Sequence, residues 1–152
     1  MNDRSAARTS AHYTRHHQQS IDTPETYWAE QARQVAWYHA PELTLQAMPD
    51  GTHRWFADGQ LNSSYLALDH QVELGRGDQL ALLSDSPVTD HQASFTFQQL
   101  RDEVARLAGL LRQMGVEKGD GVIIYMPMIP QAAMAMLACA RIGAVHEVVF
   151  AG

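Results

Sequence analysis

His12 and His16 are the first residues along the chain whose types and spacing could support chemistry. Side chains four residues apart lie on the same face of a helix, so this pair could hold a metal ion. A structural metal site normally has four protein ligands, and no set of His, Cys, Asp or Glu in the chain has metal-ligand spacing. We therefore favour the alternative, in which both histidines belong to a flexible, solvated tail over residues 1–22.

Three residues near the other end of the chain each allow a functional and a structural interpretation. Arg141 closes a predicted helix, where a cation interacts favourably with the helix dipole, although it could instead reach a phosphate. Cys139 lies among Ala and Leu in the same helix, which favours a buried thiol over a nucleophile. His146 lies within a predicted strand, where a structural role is favoured because a functional one would place it at the strand end.

The remaining candidates are three aromatic residues, Trp28, Trp37 and Trp55. They could stack on a nucleotide, but such side chains more often anchor an N-terminal segment onto its domain. More specific motifs are missing from the sequence. It has no Gly-x-Ser-x-Gly elbow, no phosphate loop of the Gly-Lys-Ser/Thr kind and no GxGxxG after a strand. We therefore predict no catalytic residue and no metal site in this chain.

The first half of the sequence predicts mostly helices. Thr23-Pro24 resembles an N-cap followed by proline at the first helical position, and this helix should run to Pro41. Asn62 can cap a second helix that continues to about Leu74 and ends in the glycines of residues 75–78. We assign residues 1–22 to the tail and residues 23–78 to a mostly helical N-terminal segment.

The second half alternates between strands and helices, which predicts the α/β class. Strand patterns cover residues 80–83 and 93–97, and a capping box of Thr96 and Gln99 opens a helix. That helix has an apolar face, and its members are Leu100, Val104, Leu107, Leu111 and Met114. The continuous apolar run of residues 122–126 indicates a parallel strand buried on both faces.

The order of these last elements defines the predicted fold. A helix begins at Pro130 and ends at Gly143, and a strand follows over residues 145–150. A strand, a helix and a further strand in this order predict a right-handed βαβ crossover in a parallel sheet. We therefore expect residues 79–152 to form an incomplete parallel-sheet βαβ domain, preceded by the mostly helical N-terminal segment.

Composition excludes several classes of protein. With 45% apolar residues the chain can form a core, and a net charge of −6 without a basic face argues against binding nucleic acid. Its apolar stretches are all shorter than the roughly 18 residues that a membrane span requires, so we expect no membrane association. Cys139 is the only cysteine, which rules out an internal disulfide and favours the cytoplasm.

Several stretches of the sequence resemble one enzyme family. The most specific are residues 125–130, Tyr-Met-Pro-Met-Ile-Pro, and residues 138–146, Ala-Cys-Ala-Arg-Ile-Gly-Ala-Val-His, followed by Val149-Phe150-Ala151-Gly152. With these motifs, residues 24–152 resemble the acetyl- and propionyl-CoA synthetases of the adenylate-forming superfamily. Ser-Pro-Val-Thr at residues 86–89 and the first stretch look more like the propionyl-CoA type. The resemblance implies that residues 23–78 are the N-terminal segment of such a synthetase and that its AMP-binding domain begins at residue 79.

The resemblance also implies an activity. Enzymes of this family are ligases that use ATP, Mg²⁺ and CoA to convert a short-chain carboxylate into acyl-CoA, AMP and pyrophosphate. The family's Ser/Thr/Gly-rich phosphate loop and its C-terminal lid lysine have no counterpart in these 152 residues. We therefore expect an N-terminal fragment that is inactive alone and holds no cofactor of its own.

One ligand contact can be carried over from the family. Phe150, Ala151 and Gly152 match a stretch that lies against the nucleotide part of CoA, although Ala151 stands where glycine is common. A strand end that turns into a loop is an equal alternative for these residues. A second hypothesis gives the chain no catalytic role. In it the chain is an interaction module, whose exposed sheet edge pairs with a ligase fragment or regulates a ligase.

Overall fold

The computed structural model describes the backbone of residues 3–150 and the side chains of residues 11–149. Residues separate into two units, Met1–Leu61 and Asn62–Gly152. Helices and strands occur in both units, and the described strands form two-stranded sheets, one of them parallel. The predicted α/β class is therefore confirmed.

The first unit contains two helices and a short hairpin. Helix α1 spans Asp3–Asp22, helix α2 spans Pro24–Ala32, and strands β1 (Leu45–Ala47) and β2 (His53–Trp55) pair antiparallel. Helix α1 lies where the sequence predicted a flexible tail. Asp3–Asp22 contains neither glycine nor proline, and polar pairs four residues apart support the helix. No described helix is long and apolar enough to cross a membrane.

Helix α2 begins where predicted but ends early. The Thr23 side chain does not cap it, because its hydroxyl donates a 3.2 Å hydrogen bond to the carbonyl of Gln19 in α1. The helix stops at Ala32 and does not reach Pro41. Nε1 of Trp37 donates a 2.8 Å hydrogen bond to the Ala32 carbonyl and so satisfies a group that the helix end leaves free.

The second unit opens with a helical stretch that contains two π-helical segments, Tyr65–Asp69 and Val72–Arg76. Asn62 caps this stretch, as predicted, because its Oδ1 accepts a 3.1 Å hydrogen bond from the Tyr65 amide. Gly75 adopts a positive φ of 76° near its end. Most side chains would be strained in that conformation.

An antiparallel hairpin and a long helix follow. Strands β3 (Leu80–Ser86) and β4 (His91–Thr96) pair antiparallel, and helix α3 spans Phe97–Gln113. The predicted capping box is confirmed, since the Gln99 amide donates to the Thr96 hydroxyl and the Gln99 side chain accepts from the Thr96 amide. The predicted apolar face of α3 is confirmed for four of its five members, since Leu100 and Val104 are buried and Leu107 and Leu111 pack against the core. Ala108 is buried as well, whereas Met114 is exposed beyond the last turn.

The chain then forms the predicted βαβ unit. Strand β5 spans Gly121–Met126, helix α4 spans Pro130–Ile142, and strand β6 spans Val145–Phe150. The two strands are parallel, and their register pairs Gly121 with Val145 and Met126 with Phe150.

The core of the second unit lies on one side of this parallel pair. Its buried members come from the π-helical stretch, α3, α4 and the turn after α4: Leu68, Leu100, Val104, Ala108, Met134, Ala138, Cys139, Ile142 and Ala144. In β5, Ile124 is buried, but Ile123 and Tyr125 are 69% and 70% exposed. The prediction that β5 is buried on both faces is therefore wrong for the described residues, because Ile123 and Tyr125 lie on the face of β5 opposite to the buried Ile124.

Two leucines of α3 provide a matched test of this packing. Leu100 is 5% exposed and Leu110 is 55% exposed. We expect Leu100→Ala to lower the free energy of unfolding by about 2–5 kcal/mol, because it removes buried surface and leaves a cavity. Leu110→Ala should change it by less than about 0.5 kcal/mol. Urea unfolding followed by circular dichroism measures both, and equal losses would contradict the assignment of the buried face.

Candidate functional site

The predicted ligand contacts belong to the carboxyl ends of the two parallel strands. β5 ends at Met126 beside Phe150, the last residue of β6, and three residues connect β5 to the first turn of α4 at Pro130. Open parallel sheets bind ligands at this end of their strands. The backbone of Phe150 lies at that edge, whereas its side chain, Ala151 and Gly152 lie outside the described residues. The contacts of these three residues with CoA therefore stay a prediction.

A polar network holds the opposite end of α4. Arg141 Nη1 donates to Asp69 Oδ2 at 2.6 Å, and Arg141 Nη2 donates to Asp69 Oδ1 at 2.8 Å. Asn62 Nδ2 donates to the carbonyls of Ala140 and Arg141 at 3.0 and 3.1 Å. We call these four residues the Arg141 network. Through it, carbonyls of the last helical turn, which lack partners within a helix, find donors elsewhere in the unit.

The contacts of Arg141 in this network favour the structural role over the phosphate-binding role. Its guanidinium forms a bidentate pair with Asp69, a geometry that a planar fork of donors favours, and it also lies at the helix end where a cation is expected. The phosphate role considered from sequence has no support in this arrangement. Sequence reasoning missed Asp69. No local pattern identifies Asp69, because its partner lies 72 residues further along the chain.

The turn after α4 is fixed by backbone contacts as well. Gly143 adopts a φ of 78°, and a Cβ there would lie 2.9 Å from Cγ of Lys118. The Gly143 carbonyl accepts a 2.9 Å hydrogen bond from Gly119, and the Val145 amide donates a 2.8 Å bond to Asp120. Glycine is therefore favoured at position 143 for two reasons. It adopts the positive φ without strain, and it leaves room for Lys118 in the loop before β5.

The other candidates in this unit have structural settings. Cys139 is fully buried in the core, and this burial raises the pKa of its thiol above the usual 9.0. A buried thiol with a raised pKa is a poor nucleophile, so the predicted packing role is confirmed. His146 is exposed and is the second residue of β6, far from the carboxyl end where a functional role would place it.

The tryptophans contact groups of the first unit. The rings of Trp28 and Trp55 meet edge to face at 6.3 Å, and the ring of Trp37 lies 5.8 Å from that of Phe56. Trp28 and Trp55 belong to α2 and β2, so their contact joins the helix to the hairpin. These contacts lie within the first unit, so the anchoring of this segment onto the domain stays a prediction.

A cleft of about 580 Å³ lies in the first unit. Its lining is mainly alanine, proline and aromatic residues, with Arg33 and Glu42 as the charged members. The Asp58 carboxylate accepts a 2.8 Å hydrogen bond from the Glu42 amide, which lowers the pKa of Asp58 and fixes the loop at the cleft. Neither histidine nor cysteine lines the cleft. Throughout the described part of the chain, no three residues of the metal-binding types converge.

Comparison with known proteins identifies the family of the chain. The model of the AMP-binding enzyme family matches residues 68–152, and that of the acetyl-coenzyme A synthetase N-terminus matches residues 13–67. The chain belongs to the AMP-binding enzyme family. The resemblance to acetyl- and propionyl-CoA synthetases inferred from sequence is therefore confirmed. The boundary placed between residues 78 and 79 stays a prediction.

Three relatives show how much of such a protein the chain represents. An uncharacterized protein of Pseudomonas aeruginosa is 67% identical over 140 residues, or 92% of this chain and 22% of that protein. The human protein acyl-CoA synthetase short-chain family member 3, mitochondrial, is 45% identical over 95% of this chain and 21% of its own length. The structure of acetoacetyl-CoA synthetase from Streptomyces lividans matches with a TM-score of 0.75 and 36% identity, over 88% of this chain and 20% of that one. The chain spans about a fifth of the length of these relatives.

A double-mutant cycle tests the Arg141 network. Asp69→Ala, Arg141→Ala and the double variant should give a coupling free energy of about 1–3 kcal/mol, because the side chains are only 19% and 29% exposed. Glu103 and Arg106 on α3 form a control pair that is 41% and 68% exposed, for which about 0.2–0.5 kcal/mol is expected. Unfolding in urea measures both cycles, and equal coupling would show that the Arg141 contact contributes no more than a surface pair.

The raised pKa of Cys139 predicts slow reaction with thiol reagents. In the folded protein the thiol should stay neutral above pH 9.0, the value for an exposed cysteine, and labelling by iodoacetamide should accelerate strongly in denaturant. The free energy of unfolding should therefore fall as the pH rises past 9.0, because the thiol ionises at a lower pH in the unfolded chain than in the folded one. Native labelling as fast as that of free cysteine would contradict the buried setting.

Proposed function

We propose that this chain forms the N-terminal part of an AMP-forming short-chain acyl-CoA ligase and is inactive by itself. In the complete reaction a carboxylate attacks ATP to give an acyl-adenylate and pyrophosphate, and the thiol of CoA then displaces AMP. The observation that carries the proposal is the family match over residues 13–152 in a chain that spans about a fifth of its relatives.

The chemistry of this reaction requires groups that the chain does not supply. Charge on the phosphates is neutralised in such reactions by a phosphate loop, a lysine and Mg²⁺. The sequence has no such loop, and the described residues contain no cluster that fits Mg²⁺. We therefore assign no step of adenylation to the residues of this chain.

The contribution proposed for this chain is to position part of the CoA site. In this proposal Phe150, which ends β6, and Ala151 and Gly152, which follow it in sequence, contact the nucleotide part of CoA. The Arg141 network and the Gly143 turn hold the start of β6, so they act as positioning residues for that edge. No group of this chain is proposed to touch the reacting carboxylate.

The identity of the acid is a finer proposal. We propose propionate, on the basis of residues 86–89 and 125–130, which look more like the propionyl-CoA type. The relatives carry names that specify a short-chain acyl group or acetoacetate, so short-chain carboxylates are the class of substrate that they support. We also propose a cytoplasmic location, which the buried free thiol of Cys139 supports.

A second candidate function is an interaction module, and the parallel strands favour it. Four apolar residues form what we call the open face of the pair: Ile123, Tyr125, Val145 and Val149. Ile123, Tyr125 and Val145 are all more than 60% exposed. Exposed apolar surface of this kind marks interaction sites, and the occupant we propose is the remaining sequence of a ligase of the same family.

Two measurements test the ligase proposal. The purified chain, given ATP, Mg²⁺, CoA and propionate, should release no AMP above the blank, whereas the full Streptomyces lividans enzyme with acetoacetate serves as positive control. A chimera in which this chain replaces the matching fifth of the human relative should form acyl-CoA. Turnover by the chain alone would contradict its inactivity.

The chimera also separates the two candidate functions. A folded chimera without activity would contradict the ligase proposal. If the separate chain then bound the remaining four fifths of the human relative without restoring turnover, the interaction module would be favoured. Tyr125→Lys on the open face provides the control, since it should abolish that binding while leaving the exposed strand folded.

A further inference from the structure

Two imidazole nitrogens of helix α1 lie unusually close together. Nε2 of His12 and Nε2 of His16 are 3.1 Å apart, and the ring centroids are 4.2 Å apart with their planes tilted by 43°. Both side chains reach the surface, His12 more than His16. One neutral imidazole can donate to the other at this distance, and each neutral ring has one nitrogen lone pair that can bind a metal ion.

The separation fits a metal ion shared by both rings. Bonds from a metal ion to imidazole nitrogen are about 2.0–2.1 Å long, so two such bonds would meet at an angle of roughly 100° across 3.1 Å. This angle lies between the roughly 90° of square-planar or octahedral coordination and the roughly 109° of tetrahedral coordination. The distance between the two nitrogens is therefore compatible with one shared ion, once both rings turn their lone pairs towards it.

Neighbouring contacts help to hold the pair. The ring of His16 packs edge-on against Tyr27 of α2 at 5.9 Å, which restricts its rotation. The adjacent His17 has a different setting, because its ring stacks on Tyr13 at 5.9 Å. Successive helical residues point about 100° apart, so His17 cannot join the ion held by His12 and His16 without leaving the helix.

We propose that His12 and His16 form an exposed two-histidine site for a divalent late transition metal ion, with Cu²⁺ bound most tightly. Neutral imidazole suits copper, nickel and zinc, and affinity rises along that part of the series to Cu²⁺. Solvent would fill the remaining coordination positions. The objection that structural sites need four ligands does not apply, since that requirement concerns sites that hold a fold together and not an exposed pair on one helix. The net charge of −6 favours a cation near the chain.

The test is a titration of the full chain with Cu²⁺ at mildly alkaline pH, where imidazoles are neutral. Calorimetry should show one tightly bound ion. His12→Ala and His16→Ala should each weaken binding about 10-fold to 100-fold, because each removes one of two linked ligands. His17→Ala is the matched control, being a histidine of the same helix outside the site, and it should leave the affinity unchanged.

Two outcomes of the titration would overturn the proposal. One is that the His12→Ala and His16→Ala variants bind Cu²⁺ as tightly as the unaltered chain. The other is that His17→Ala loses as much affinity as they do. Electron paramagnetic resonance of the unaltered chain provides a test that does not depend on any variant folding. It should show coupling of the bound copper to two equivalent nitrogens, and coupling to a single nitrogen would contradict the shared site.

Discussion

The bidentate contact between Arg141 and Asp69 is the interaction on which the second unit most depends. It joins residues that are 72 positions apart, the last turn of α4 and the end of the first π-helical segment. Both side chains are largely withdrawn from water, so removing either one would leave the other half-buried without its strongest counter-charge. Asn62 adds two hydrogen bonds to the same helix end. The Gly143 turn and the register of β6 follow from where this end is held.

Apolar packing completes one side of the parallel pair and leaves the other side open. Residues 122–126 have the composition of a strand buried on both faces, yet the described helices cover only the face that includes Ile124. Ile123 and Tyr125 therefore remain in contact with water, at a cost in hydrophobic free energy. Relatives about five times as long contain further chain that could cover this face. The mismatch between composition and burial supports the proposal that the chain contributes part of a larger ligase.

Structural features that depend on residues close together in sequence could be predicted. Contacts between residues far apart in the chain could not. The capping box of Thr96 and Gln99 and the glycine at 143 act within a few residues, so their sequence signals were sufficient. Asp69 was missed because its partner is far away in the chain, and no local pattern identifies it. Helix α1 was missed because polar composition resembles that of a tail, although the absence of glycine and proline permits a helix. The site at residues 150–152 was proposed through family resemblance and not through any chemical pattern in those residues.

The proposed CoA edge and the Arg141 network lie at opposite ends of β6. The strand has six residues, so its ends are about 17 Å apart at the usual rise of 3.3–3.4 Å per residue. β6 is paired with β5 along its full length, so a displacement at one end of the strand should displace the other end as well. This matters because the groups of a binding site must be held within about 0.5 Å of their productive positions. The backbone of Phe150 is held directly by its pairing with Met126, and the contacts around Gly143 hold the other end of the strand. The Arg141 network can therefore act on the proposed CoA edge only through β6 and its pairing with β5.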